Sequence, residues 1–139
     1  MLRIVIDTNV AVSGLLWHGP SRQVLNAARE RRVTIYTSRP LLDELRDVLD
    51  RPKIAPRLAL VASTSEALLA SYLGLATLVR PMDIDPVVIE DPDDDCVLAC
   101  ALAAQANVIV SGDKDLLRLG GCQGVAILTA ADFLARLSR

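Results

Sequence analysis

Leu2-Arg3-Ile4-Val5-Ile6-Asp7-Thr8-Asn9 opens the chain. A short apolar run rich in β-branched residues reads as a buried strand. Asp7 closes it. Near the other end a second such run appears, Val108-Ile109-Val110-Ser111-Gly112-Asp113. It too finishes on an aspartate. Between and beyond them, strand-like and helix-like segments alternate, which implies a parallel sheet covered by helices on both faces. In such sheets ligands bind at the carboxyl ends of the strands. Asp7 and Asp113 both fall at such an end.

Working outward, the first strand covers 2–7 and a short helix runs from Asn9 to Leu16, ended by the Gly19-Pro20 turn. A second helix is predicted over Ser21 to Arg31, then a β-run over Thr34 to Thr37. Ser38 looks like an N-cap, with Pro40 in the first turn of a helix reaching Asp50. Pro52 and Pro56 are read as breaking the next stretch. Ser63-Thr64-Ser65-Glu66 has the capping-box pattern and starts a helix to Leu73, followed by a short strand over Ala76 to Val79. A helix over 94–106, a strand over 108–111 and a helix over 114–119 come next. Gly120-Gly121 turns the chain into a strand over 125–128, and Thr129-Ala130-Ala131-Asp132 caps a last helix. No internal repeat, low-complexity tract or linker is visible, so residues 1–139 are expected to form one domain.

Apolar residues make up 52% of the chain and aromatics only 3%. The core must be built from Leu, Val, Ile and Ala. A platform of several stacking rings, as in single-strand binding modules, is not expected. The net charge of −2 and pI near 5.3 exclude a basic nucleic-acid coat. They leave room for a nuclease whose acidic pocket lowers the total. Cations are nearly all Arg, with Lys only at Lys53 and Lys114. Arg22, Arg39 and Arg118 are candidates for phosphate contacts, against the plainer role of solvating helix faces. Three cysteines, Cys96, Cys100 and Cys122, sit in apolar settings and are expected to be free thiols. Cys96 and Cys100 lack the partners a zinc site needs. His18 belongs to a turn, Trp17-His18-Gly19-Pro20. Strand-like sequence from Leu2 leaves no visible signal peptide, and no uncharged run reads as a membrane span. The expectation is a soluble cytoplasmic protein without a membrane partner.

Four acids then stand out: Asp7, Glu44, Asp94 and Asp113. Asp7 ends a strand and precedes a helix, so it serves either a site or a cap. On the helix after Ser38, Leu41, Leu42, Leu45, Val48 and Leu49 form one apolar stripe. Glu44 lies at its edge, roughly 40° from Val48 at 100° per residue. Asp43, Asp47 and Asp50 fall on the far side. Asp94 lies in Asp91-Pro92-Asp93-Asp94-Asp95, where acids favour a helix N-terminus and Asp91 or Asp93 could cap. It is in phase with Val97, Leu98, Ala101 and Gln105, whereas Asp95 is turned by about 100°. Asp113 follows Gly112, which allows close backbone approach, but could equally cap the next helix. Asp115 reads first as first-turn charge.

Should these acids meet, two carboxylates about 4 Å apart repel by roughly 4 kcal/mol at an effective dielectric near 20. A cation resolves the conflict. Oxygen ligands without His or Cys suit Mg2+ or Mn2+. A haloacid-dehalogenase-like phosphatase needs a second acid two residues after the first, and Asn9 cannot serve. A receiver domain needs adjacent acids after strand one and an aspartate closing a central strand, which Thr8 and Thr37 do not supply.

Taken together, Val5-Ile6-Asp7-Thr8-Asn9-Val10, Ser38 to Leu45, Asp91 to Ala101 and Val110 to Leu117 resemble a PIN domain, most of all the VapC-type toxins of toxin–antitoxin modules. Each motif alone is weak; their order and spacing are specific. The resemblance implies a PIN-like three-layer α/β/α sandwich with a mainly parallel sheet. It implies that Asp7, Glu44, Asp94 and Asp113 bind Mg2+ or Mn2+. Thr8, Asn9 and Ser111 would support them, Asp115 would be an extra acid, and Asp95 a substitute or helper. It further implies a metal-dependent endoribonuclease acting on RNA, an antitoxin partner and a homodimer. Ser111-Gly112-Asp113 stands where the family usually has Thr-Gly/Arg-Asp.

Overall fold

The computed structural model describes residues 1–81 and 92–138, with the backbone alone for Pro92 and Asp93. The elements run β1 (Leu2–Ile6), α1 (Thr8–Leu16), α2 (Pro20–Arg29), β2 (Val33–Thr37) and α3 (Arg39–Leu49). A 3-10 turn (Pro52–Ile54), α4 (Ala55–Leu60), α5 (Ser65–Leu75) and β3 (Ala76–Leu78) follow. Then come α6 (Pro92–Ala104), β4 (Val108–Val110), α7 (Lys114–Leu119), β5 (Gly121–Cys122), β6 (Val125–Leu128) and α8 (Ala130–Leu137).

The strands form one sheet in the order β3-β2-β1-β4-β6-β5. All pairs are parallel except β5 with β6. Alternation along the strands divides the core into two layers. Ile4, Ile6, Ile35, Val108 and Val110 join the cluster that includes α1, α2, α3, α5 and α8. Val5, Ile109, Val125 and Ile127 face the other way, against α6 and α7. The result is the expected α/β/α sandwich. Because β1 lies between β2 and β4, the chain leaves β1 towards one side of the sheet and later fills the other. A crevice therefore opens at the carboxyl ends of β1 and β4.

Several local expectations change. The stretch around Pro52 and Pro56 is helical, since each proline sits in a first turn, where its missing N–H costs nothing. Thr64, not Ser63, caps α5 by accepting from Ala67 N–H at 3.1 Å, so Glu66 is one place too early for a capping box. Gly121 and Cys122 form a small antiparallel strand rather than only a turn. Gln105 is exposed: α6 stops at Ala104, and Gln105 takes φ 52°, which ends the apolar stripe. Asp91 and the side chain of Asp93, the proposed caps of α6, lie outside the described residues. His18 is exposed in the α1–α2 turn, as expected.

Candidate metal centre

Asp7 lies at the carboxyl end of β1, where its N–H bonds Val110 C=O at 3.0 Å. It is 6% exposed. One carboxylate oxygen accepts from Thr8 N–H at 2.7 Å and caps α1. The other accepts from the Ser111 hydroxyl at 2.8 Å. Capping and facing the crevice are thus combined in one side chain. Thr8 is buried, whereas Asn9 is exposed.

Just past β4, Ser111 is fully buried. Its backbone N–H bonds Leu128 C=O at 2.9 Å. Its Oγ accepts from Asp113 N–H at 3.0 Å while donating to Asp7. Ser111 therefore holds the ends of β1 and β4 in one arrangement. Asp113 Oδ1 accepts from Asp115 N–H at 2.8 Å and Leu116 N–H at 3.2 Å, capping α7. Gly112 was expected to permit a close approach, yet a Cβ there would meet nothing within 4 Å.

The first turn of α6 supplies Asp94, 3% exposed, while Asp95 is half-buried. Carboxylate oxygens of Asp94, Asp113 and Asp115 lie within 4.8 Å of one another. Asp115, read as an accessory, is thus a full member of the group. Its nearness to Asp113 is plain in the sequence, where it stands two residues beyond that cap; its approach to Asp94 is set by the packing of α7 and α6. Asp7 and Glu44 do not belong to this trio; Asp7 is joined to it through Ser111. Glu44 is half-buried on α3, whereas Asp43, Asp47 and Asp50 are exposed, as the helical phase predicted.

At that separation each charged pair repels by about 3–4 kcal/mol at an effective dielectric of 20. The donor set is all carboxylate, with no Cys or His. A hard divalent cation of the Mg2+ or Mn2+ class fits it. The group contains no cysteine, and Cys100 and Cys122 are free thiols. Cys100 is buried beside Ser38, whose side chain does not cap α3. Burial pushes the Cys100 thiol up to about 12, against a smaller lowering by Ser38.

The arginine candidates separate as well. Arg22 is committed to the end of α1, donating to Gly14 C=O and Leu15 C=O at 3.1 Å each. That use removes it from the phosphate candidates. Exposed Arg39 lies 3.6 Å from Asp43, and Arg118 lies 3.6 Å from Asp115, at the margin of the acidic group.

With this geometry in view, the sequence matches the PIN domain family over residues 3–115. The chain belongs to the PIN-domain family. Members of that family are generally nucleases. No curated protein sequence matches this PIN domain. Among solved structures, a chain of VapBC2 from Rickettsia felis bound to a DNA fragment from their promoter is similar, with TM-score 0.60 and 16% identity. That match covers 91% of this PIN domain and 97% of the other chain. The T. brucei RRP44 PIN domain is similar at TM-score 0.51 and 18% identity, covering 99% and 81%. At such identities the likeness is one of fold.

Proposed function

We propose that this PIN domain is a Mg2+- or Mn2+-dependent endoribonuclease and the toxin of a toxin–antitoxin pair. The observation that carries the reading is the convergence of Asp94, Asp113 and Asp115, linked to Asp7 by Ser111, at the carboxyl edge of the sheet. Asp94, Asp113, Asp115 and Asp7 would hold the ion. When bound, the ion supplies charge stabilisation at phosphorus and a more acidic water. The chain's own work is orientation. Ser111 fixes the Asp7 carboxylate, and the α7 cap fixes that of Asp113. Glu44 is assigned to orient the attacking water or to complete a second ion site. Asp95 is the reserve ligand, and Thr8 packs beneath Asp7.

The toxin assignment draws on the VapC-like motifs and on the likeness to VapBC2, a complex. On that reading the chain is one domain in the cytoplasm, forms a homodimer and is held inactive by an antitoxin. Among the described residues, no single helix is long and apolar enough to cross a membrane. The test is cleavage of structured and single-stranded RNAs with and without Mn2+. Cleavage should need the ion and fall at least a hundredfold, about 2.7 kcal/mol, in Asp7→Asn and Asp94→Asn. Undiminished cleavage in both variants would sink the assignment.

A further inference from the structure

Trp17 is the only tryptophan of the chain, and it is not in the core. It ends α1, with its N–H bonded to Ser13 C=O and its side chain 40% exposed. The Arg57 guanidinium lies over the ring, 4.9 Å from its centroid. Arg57 is itself pinned, donating to Leu16 C=O at 2.9 Å. A cation against one face holds the indole in place without burying it. An aromatic ring fixed in this way, and still reachable by solvent, is prepared to stack.

Its position favours the same edge as the acids. β1 and β2 are parallel, so the α1–α2 connection must return from the carboxyl edge to the opposite edge. The ten residues of α2 span about 15 Å, close to the roughly 17 Å of a five-residue strand. α2 alone can make that descent, so α1 need not descend and the Trp17 turn is free to stay near carboxyl-edge height. α1 begins at Asp7, so about 14 Å of helix separates the indole from the crevice.

Charge supplies an independent indication. From Thr8 to Arg29 and from Arg51 to Ser65 there is no Asp or Glu, although the chain has 17. These two segments meet where Arg57 bonds Leu16. Besides Arg22, which is committed to the end of α1, they carry Arg29, Arg51, Lys53 and Arg57. An acid-free region on a net acidic chain, with an exposed indole at its tip, matches a polyanion with unpaired bases.

We infer that Trp17, backed by Arg57, is a shelf on which a base of single-stranded RNA stacks while a phosphate a few nucleotides away occupies the acidic crevice. The inference rests on the nuclease reading for its substrate class, but its test does not depend on cleavage. With one tryptophan, intrinsic emission reports Trp17 directly. Wild-type protein in EDTA, titrated with an unstructured RNA oligonucleotide, should show saturable quenching that weakens with salt. In Mn2+, Trp17→Ala should raise KM about 5- to 50-fold with kcat within about twofold, and Trp17→Phe should recover most of the loss. RNA binding seen by anisotropy without any change in Trp17 emission overturns the shelf. So does an unaltered KM in a folded Trp17→Ala, or quenching by a protein partner but not by RNA. Should Trp17→Ala fail to fold, the wild-type titration decides. Quenching without cleavage under any metal leaves the shelf standing and removes the nuclease reading; cleavage without quenching does the reverse.

Discussion

Ser111 has one hydroxyl proton and uses it on Asp7, while its oxygen receives the Asp113 N–H. Ser111→Ala removes both bonds, so the Asp7 carboxylate loses the hydroxyl on its Oδ2 and the Asp113 backbone loses its tie to the end of β4. Loss of such a supporting hydrogen bond costs about 10- to 100-fold in metal affinity or activity. The expected outcome is a higher Mn2+ requirement for RNA cleavage, restored by Ser111→Thr, which keeps the hydroxyl. A Mn2+ titration of initial rates checks it. Cys100 gives a prediction of a different kind. Burial raises its thiol in the fold to about 12, from an ordinary 9.0. Above about pH 9 the unfolded chain loses that proton and the folded chain keeps it. Stability is therefore fully present below the unfolded value and is lost as pH rises towards the folded one. The burial of Tyr72 acts in the same direction. Urea melts between neutral pH and about pH 10.5 should show the decline, and Cys100→Ala should flatten it in part.

At the scale of elements, the α1–α2 crossing is the tightest join. A Cβ on Gly14 would come within 2.8 Å of both Leu25 Cδ1 and Ser21 O. The leucine tip can move, but the backbone oxygen belongs to the first turns of α2. Gly14→Ala should cost about 1–3 kcal/mol, read as a lower denaturation midpoint at unchanged slope. Much of this level was legible. α7 and α8 start where turn chemistry placed them, because Asp113 and Thr129 cap through their own side chains. The miss around Pro52 to Leu60 has a simple cause: proline marks a break in a helix interior but a start in a first turn, and only the fold shows which. The site was legible in the same uneven way. Strand ends are local, so Asp7 and Asp113 could be read directly. Helical phase separated half-buried Glu44 from its exposed acidic neighbours on α3, and it picked out Asp94, which is buried, over Asp95, which is half-buried. That Asp115 completes the trio depends on how α7 docks against α6, and no local pattern encodes that distance.

For the whole molecule, an ion held as proposed would link stability to metal through the acidic group. Close carboxylates disfavour the folded state until an ion joins them, and an ion that binds only the folded chain stabilises it by mass action. At a hundredfold excess over Kd the gain is about 2.7 kcal/mol. Thermal unfolding should therefore rise with Mn2+ in the wild type. In Asp94→Asn the metal-free protein should be no less stable, because a buried charge is gone, while most of the Mn2+ increment disappears. A wild-type midpoint indifferent to Mn2+ would count against any ion at this edge.

The bond from Ser111 to Asp7 spans 104 positions of chain. It forms where β4 pairs with β1, a strand made well before it. A polypeptide still emerging from the ribosome carries Asp7 and Glu44 long before it carries Asp113 and Asp115. The order of elements thus delays the assembled crevice until α7 has followed β4 out. On the ribonuclease reading proposed above, the nascent product cannot cut the transcript that encodes it during that interval.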